Sequence, residues 1–294
     1  MGNLVRCISE DGTLLIMACD TTDMVQEAYE IHGTSKVCTA ALGRLLTAGA
    51  MMGSMLKGKK DTLTLRINGG GPAGSVLAVA DSDCHVKGYV VDGKVELPLN
   101  KKGKLDVGGA VGRDGFVTVI KDLGLKEPFV GQVPIVSGEI AEDITAYFAA
   151  SEQTPSVCGL GVLVAQDKSV IKAGGFLIQL LPTADDGIID MVEKDIQDID
   201  SVTKMLVDGL TPAEICKKVL PSFNVQELDV MHPVYQCDCS VERVQTALIS
   251  AGREELLDMA NDPVTEVKCQ FCNKAYRFTG KDILKLIENA TGEN

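Results

Sequence analysis

The segments QCDCS (236–240) and KCQFCNK (268–274) decide how the C-terminal part of this chain folds. They contain a C-x-C pair and, after 29 intervening residues, a C-x-x-C pair: Cys237, Cys239, Cys269 and Cys272. Two thiol pairs that folding brings together can present four sulfurs at the corners of a tetrahedron, which is the geometry of a closed structural zinc site. We therefore predict that the four cysteines bind one Zn²⁺.

Composition limits the remaining functions. A length of 294 residues allows one large domain and a smaller one, and a hydrophobic content of 45% supports a real core. The net charge of −13 argues against binding to nucleic acid or to an anionic membrane. The most apolar segment, 45–56, is too short to span a bilayer, and the N-terminus lacks the apolar region of a secretory signal. These features predict a cytoplasmic protein.

Six further cysteines are isolated in apolar surroundings. In a reducing cytosol such thiols stay free or bind metal, so we interpret these six as core residues without a redox role. They are Cys7, Cys19, Cys38, Cys84, Cys158 and Cys216.

Residues 1–182 are predicted to form a core domain of α+β class. Segment 61–68 (DTLTLRIN) alternates apolar and polar residues as a strand does, whereas 22–32, 36–56 and 137–151 follow helical patterns. Helices do not regularly separate the strands, so we expect mainly antiparallel neighbours.

Residues 183–231 are predicted to form an acidic, all-helical linker. This segment contains eleven Asp and Glu against four Lys, and Thr211-Pro212-Ala213-Glu214 is a capping box. Asn224, with Glu227 three residues later, predicts the start of a further helix. Five apolar residues form a helical stripe: Ile188, Ile189, Val192, Ile196 and Ile199. Helices this short are marginal in water, so their order must come from docking onto neighbours.

Residues 232–294 are predicted to form a C-terminal zinc domain. Ser240 should cap a helix, Val264–Cys269 should be a strand, and Tyr276 and Phe278 should alternate on a returning strand. About 60 residues bury little apolar surface, so the metal would supply much of the folding free energy, about 10 kcal/mol or more.

No catalytic signature emerges from the sequence. Segment 69–74 (GGGPAG) matches G-x-G-x-x-G, but a strand-like run follows it where a dinucleotide site needs a helix, which favours a hairpin. Glu139, Glu142 and Asp143 lie where a helix N-terminus favours negative charge. The three histidines, His32, His85 and His232, lie in no metal or nucleophile motif. We therefore predict that the protein is not an enzyme and binds no further cofactor.

The whole chain resembles the redox-regulated 33-kDa heat-shock chaperones of bacteria. The C-x-C…C-x-x-C pattern with CDCSVERVQTAL (237–248) is the most specific mark, and SGEIAEDITAYFAASEQTPS (137–156), GFVTVIKDLG (115–124) and GGFLIQLLP (174–182) add to it. The resemblance implies a core domain, a helical linker and a zinc domain, which matches the division above.

The resemblance also implies a mechanism. The reduced, zinc-bound protein would be inactive. Peroxide at elevated temperature, or hypochlorite, would form the disulfides Cys237–Cys239 and Cys269–Cys272 and release zinc. The zinc domain and then the linker would unfold. The oxidised protein would dimerise and bind unfolding client proteins without ATP. We hypothesise that the isoleucine-rich stripe of the linker then contributes to client contact, although ordinary helix packing explains the stripe equally well.

Three alternatives remain open at the sequence level. A zinc-ribbon protein could bind nucleic acid, but 232–294 carries seven Lys and Arg against ten Asp and Glu. A thiol-disulfide oxidoreductase could use Cys269-x-x-Cys272, but it would need that motif at a helix N-terminus in a βαβ context. The third alternative is an enzyme with a structural zinc domain, for which the sequence identifies no active site.

Overall fold

A computed structural model describes the backbone of residues 2–291 and the side chains through 289. The chain divides between Gln236 and Cys237 into two compact units, here called unit 1 and unit 2. Thirteen strands are formed by the described residues: β1 (Leu4–Ser9), β2 (Leu14–Asp20), β3 (Thr62–Gly70), β4 (Val76–Asp81), β5 (His85–Val90), β6 (Gly112–Asp122), β7 (Phe129–Pro134), β8 (Ser156–Val164), β9 (Val170–Leu180), β10 (Val225–Met231), β11 (Val234–Tyr235), β12 (Val264–Lys268) and β13 (Ala275–Thr279).

Ten helices accompany these strands in the described part of the chain: α1 (Thr22–His32), α2 (Lys36–Gly53), α3 (Val107–Val111), α4 (Ala141–Ala150), α5 (Asp186–Ile196), α6 (Val202–Val207), α7 (Pro212–Val219), α8 (Val241–Ser250), α9 (Arg253–Met259) and α10 (Gly280–Thr291). The prediction of an α+β protein with mainly antiparallel strands is confirmed, because β11 with β5 is the one parallel pair among the described strands.

Two sheets form the frame of unit 1. The first sheet has the order β10-β1-β2-β9-β8 and the second has the order β11-β5-β4-β3-β6-β7. Helix α2 contacts strands of both sheets and is buried on nearly every side, as expected for a helix that is apolar all round. Helix α2 corresponds to the helix predicted over 36–56 and ends three residues earlier than expected, at Gly53.

The other face of the first sheet is covered by the linker segment, residues 183–231. Helices α6 and α7 contact strands of this sheet, and the two layers share one apolar cluster, here called the linker interface. From the sheet it takes Val5, Cys7, Leu14, Ile16, Ala18, Phe176 and Ile178. From the linker segment it takes Val192, Val202, Met205, Leu206, Ile215, Cys216, Val219, Leu220 and Val225.

The linker segment differs from the prediction at its C-terminal end. Residues 225–231 form strand β10 on the edge of the first sheet, so the helix expected to start at Asn224 is wrong, and the segment is not all-helical. The Asn224 side chain donates to Glu10 rather than capping a helix. Acidic Glu227 and Asp229 alternate with apolar Leu228 and Val230, a pattern that suits a strand, and pairing with β1 decides the outcome. The capping box at Thr211 and the expected docking of the short helices are confirmed.

The features that resembled catalytic motifs have structural roles. Segment 69–74 joins β3 to β4 as a hairpin, and Gly69 has no room for a Cβ, which would lie 2.2 Å from the Gly112 carbonyl oxygen. Asp143 accepts backbone N–H bonds from Val136 and Ile140, both at 2.8 Å, and so closes the start of α4. That helix begins at Ala141, four residues later than predicted.

Unit 2 contains a two-stranded antiparallel sheet, β12 with β13, and the helices α8, α9 and α10. Ser240 caps α8 through its hydroxyl, as predicted, and accepts the Arg243 N–H at 3.3 Å. A single small cluster fills the unit: Val244, Leu248, Leu256, Tyr276, Phe278, Ile283, Leu286 and Ile287. A core of this size contributes little stability to a unit of about 60 residues.

Candidate metal centre

Two segments of unit 2 present the four cysteines. Cys237 and Cys239 lie in the irregular segment just before α8. Cys269 and Cys272 lie in the tight turn between β12 and β13, where the Cys269 N–H donates to the Lys274 carbonyl at 3.0 Å. Asn273 adopts a left-handed backbone conformation, with φ of 59°, and its N–H donates to the Cys269 carbonyl at 2.8 Å. This turn aims both of its thiols to the same side.

All four sulfurs lie within 4.8 Å of one another. The Sγ atoms of Cys237 and Cys269 are 3.7 Å apart, and those of Cys239 and Cys272 are 3.4 Å apart. A tetrahedral ion with Zn–S bonds of about 2.3 Å requires sulfurs ~3.8 Å apart. The donor set therefore fits one Zn²⁺ closely. Within residues 2–291, no other group of three or more His, Cys, Asp and Glu side chains is arranged to hold a metal ion.

A tyrosine supports the cluster from β13. The Tyr276 hydroxyl donates a hydrogen bond to Cys239 Sγ at 3.0 Å, and the Lys274 ammonium lies 5.1 Å from the centre of the Tyr276 ring. The prediction that Tyr276 and Phe278 alternate on a returning strand is confirmed, and the Tyr276 side chain is only 6% exposed. Its contact with Cys239 Sγ was missed, because alternation along a strand reveals the face of a side chain and not the partner of its hydroxyl.

The electrostatics of the thiols favour a cation at the centre. Burial opposes ionisation of Cys239, but hydrogen bonds from Tyr276 and from the neighbouring thiols outweigh it and lower the pKa of Cys239 to about 7. Burial raises the pKa of the Cys237 and Cys272 thiols. One thiolate thus forms readily, whereas four adjacent negative charges require a bound cation to offset their repulsion.

The six remaining cysteines lie outside this centre. All six are buried, and the apolar surroundings raise the pKa of Cys84 and of Cys158 to about 12. Buried thiols of high pKa react slowly with oxidants, so the environment of Cys84 and Cys158 agrees with their interpretation as core packing. Cys7 differs, because a hydrogen bond with Cys216 lowers the pKa of its thiol. His232 also lies outside the centre, with Nδ1 3.0 Å from the Asn3 side-chain oxygen.

No helix among the described residues is both long and apolar enough to cross a membrane.

Comparison with known proteins matches this chain to one family. The sequence model of the family described as "Hsp33 protein" matches residues 2–279. A protein of Clostridium perfringens named 33 kDa chaperonin is 52% identical over 287 residues, which cover 97% of this chain and 91% of the relative. The 33 kDa chaperonin of Agathobacter rectalis is 50% identical over 284 residues, 96% of this chain and 98% of the relative.

A solved structure agrees with these matches. The crystal structure of the 33 kDa chaperonin of Thermotoga maritima superimposes with a TM-score of 0.89 at 37% sequence identity, covering 99% of both chains. The predicted family resemblance is therefore confirmed. The relatives are named chaperonins, and the absence of enzymatic activity stays a prediction for this chain.

Proposed function

Because the chain belongs to the Hsp33 family, we propose that this chaperone is a redox-regulated, ATP-independent holdase. In this proposal it is inactive while its four clustered cysteines are reduced and hold Zn²⁺, and oxidation of those cysteines activates it. Active protein binds unfolding proteins and keeps them from aggregating during oxidative and heat stress. The observation that carries the proposal is the group of four sulfurs within 4.8 Å in a unit with a very small core.

Bound Zn²⁺ would cross-link the two cysteine segments. Each cysteine pair can give two electrons to a peroxide, which takes up two protons and leaves as two water molecules while one S–S bond forms. A disulfide sulfur carries no thiolate charge and no longer holds the ion. Unit 2 then keeps a core of eight buried side chains, too little to hold about 60 residues folded.

The proposed disulfides are Cys237–Cys239 and Cys269–Cys272, and the family resemblance is their basis. In the reduced structure, by contrast, short Sγ–Sγ contacts join Cys237 to Cys269 and Cys239 to Cys272, so each contact links one cysteine pair to the other. Mass spectrometry of the oxidised protein after proteolysis between positions 240 and 268 decides between these pairings. Two separate disulfide-bearing peptides support the proposed pairing, whereas one peptide pair joined by disulfides contradicts it.

The linker interface supplies the apolar surface that activation would expose. Helices α5, α6 and α7 have 11, 6 and 8 residues, lengths that are marginal in isolation, so their order depends on this interface. Along the predicted stripe Val192 is buried and Ile188, Ile196 and Ile199 are partly buried against the interface, whereas Ile189 is 36% exposed. The stripe is therefore mostly masked in this structure. Release of the linker segment would uncover it together with the sheet face.

The remaining elements of the proposal concern assembly and location. The oxidised protein forms a homodimer, acts in the cytoplasm and binds neither nucleic acid nor membrane. The net charge of −13 supports the last two points, since anionic partners would be repelled. The domain limits 1–182, 183–231 and 232–294 remain part of this proposal as functional divisions.

An aggregation assay on zinc-loaded protein tests the function. Reduced and peroxide-oxidised samples are mixed with a thermally unfolding enzyme, and light scattering and zinc release are followed together. We expect the wild type to suppress scattering only after oxidation, in step with zinc release. Cys272→Ser lacks one of the four clustered thiols, so it should hold zinc poorly and suppress scattering without oxidation. Cys158→Ala is the matched control and should behave as the wild type. Equal suppression by both forms contradicts redox regulation, and suppression by neither contradicts a holdase.

A further inference from the structure

Strand β10 is the outermost strand of the first sheet. It pairs antiparallel with β1 over six residue pairs, from Leu4 opposite Met231 to Ser9 opposite Val225, with an irregularity between Arg6 and Cys7. On its other side β1 pairs with β2. Strand β10 therefore covers one row of main-chain hydrogen-bonding groups on β1, which is interrupted at this irregularity.

Side chains hold β10 mainly at its two ends. Val225 is buried and Met231 packs against the core of unit 1, whereas Leu228 and Val230 are 54% and 43% exposed. The main polar contact is the ion pair of Asp229 with Arg6, whose Nε donates to Asp229 Oδ1 at 2.7 Å. The site on β1 thus recognises mainly an extended main chain, which any unfolded polypeptide offers.

Covalent connection ties β10 to the helix before it. Helix α7 ends five residues before β10, and its Ile215, Cys216 and Val219 are fully buried in the linker interface. If α7 leaves the sheet, β10 loses its buried anchor at the N-terminal end. Strand β1 itself belongs to the core of unit 1, where Leu4 is fully buried, and stays behind.

We propose that, once the linker segment has left, the edge of β1 takes up an extended segment of the unfolding client as a replacement antiparallel strand. This inference rests on the proposed function and specifies its binding mode. The client segment forms the main-chain bonds that β10 made. Its alternate side chains reach the apolar face beside that edge, which includes Val5, Cys7 and Ile16. Recognition then depends on extended backbone and alternating apolar residues, and proline inside the segment prevents it.

Hydrogen exchange on the oxidised full-length protein tests this mode. The client is reduced, carboxymethylated α-lactalbumin, a permanently unfolded chain. We expect the amides of 5–9 that face β10 to exchange rapidly in oxidised protein alone and at least ~10-fold more slowly with client bound, as local protection requires. Amides of α2 should be protected in both states.

A peptide competitor supplies the matched control. The peptide NVQELDVM, the sequence of 224–231, should displace the client and restore aggregation of the thermally unfolding enzyme in the scattering assay. The same peptide with Gln226→Pro and Leu228→Pro should not. Suppressed aggregation without protection of 5–9 overturns the edge mode and leaves the holdase function intact. Protection of 5–9 before client is added also overturns it, because β10 or a second copy then occupies the edge. Failure to suppress aggregation under any condition contradicts the proposed function itself.

Discussion

Truncation of one linker side chain should release the linker without any oxidant. Leu206 in α6 is 2% exposed and packs closely on β9, where a Cβ added at Gly174 would lie 2.7 Å from Leu206 Cδ1. Leu206→Ala removes a buried isobutyl group and leaves a cavity, a change that costs about 2–5 kcal/mol. Because the linker segment has no core apart from this interface, most of that loss falls on its docking equilibrium.

The size of this free-energy loss predicts a measurable change in the alkylation rate of Cys216. A loss of about 2–5 kcal/mol raises the undocked fraction roughly 30-fold to several-thousand-fold. Cys216, on the next helix, is fully buried in the linker interface, so a thiol reagent reaches it only in the undocked state. Alkylation of Cys216 should therefore accelerate by that factor in reduced, zinc-loaded Leu206→Ala, and aggregation should be suppressed without oxidation.

The neighbouring residue gives the matched control. Val207 lies in the same helix but is 53% exposed, so Val207→Ala should change the alkylation rate by less than about threefold. Cys19, buried within the core of unit 1, should remain unreactive in both variants, which shows that the sheet has not unfolded. If Cys216 were alkylated in Leu206→Ala at the same rate as in the wild type, the argument that the linker segment docks as one cooperative layer would be refuted.

Three further predictions follow from single contacts. Thr211→Ala removes the N-terminal cap of α7 at a cost of about 1 kcal/mol, so alkylation of Cys216 in that helix should accelerate about fivefold. Thr211→Ser keeps the capping hydroxyl and should leave the alkylation rate unchanged. Tyr276→Phe removes the hydrogen bond to Cys239 and should weaken zinc binding 10–100-fold in a chelator competition; unchanged affinity would exclude a supporting role for the hydroxyl. The Arg6 hydrogen bond lowers the pKa of Asp229, so this pair stabilises the folded protein above about pH 4, and its contribution is lost as the pH falls through the lowered pKa. Asp229→Asn should remove this part of the pH dependence when the free energy of unfolding is measured by denaturation at a series of pH values. The same pH dependence in wild type and variant would contradict the role of the pair.

Local signals in the sequence predicted much of the fold. The capping box at Thr211, the cap at Ser240 and the glycine after His32 each satisfy helix ends through near neighbours, so the pattern of a few residues is enough to place them. Periodicity likewise separated strands from helices and identified the buried part of α2. The boundaries of α2 and α4 were less accurate, since packing and caps from distant loops decide where a helix frays.

The segment after Asn224 shows where local reasoning fails. Asn224 and Glu227 match a helix start, yet the residues that follow pair with β1, more than 200 positions earlier in the chain. A strand on a sheet edge draws its hydrogen bonds from its partner, and no local pattern encodes that partner. The contact of Tyr276 with Cys239 was missed for the same reason.

The sequence by itself identified the four cysteines of the cluster, the α+β class and the family of this protein, because cysteine spacing, periodicity and residue identity are properties of the chain order. Only the tertiary structure decided that the four sulfurs lie within 4.8 Å, that the acidic helices cover one face of the first sheet, and that β10 completes its edge. Each of these depends on contacts between residues far apart in the chain, whose geometry arises when apolar surfaces pack and main-chain groups find partners.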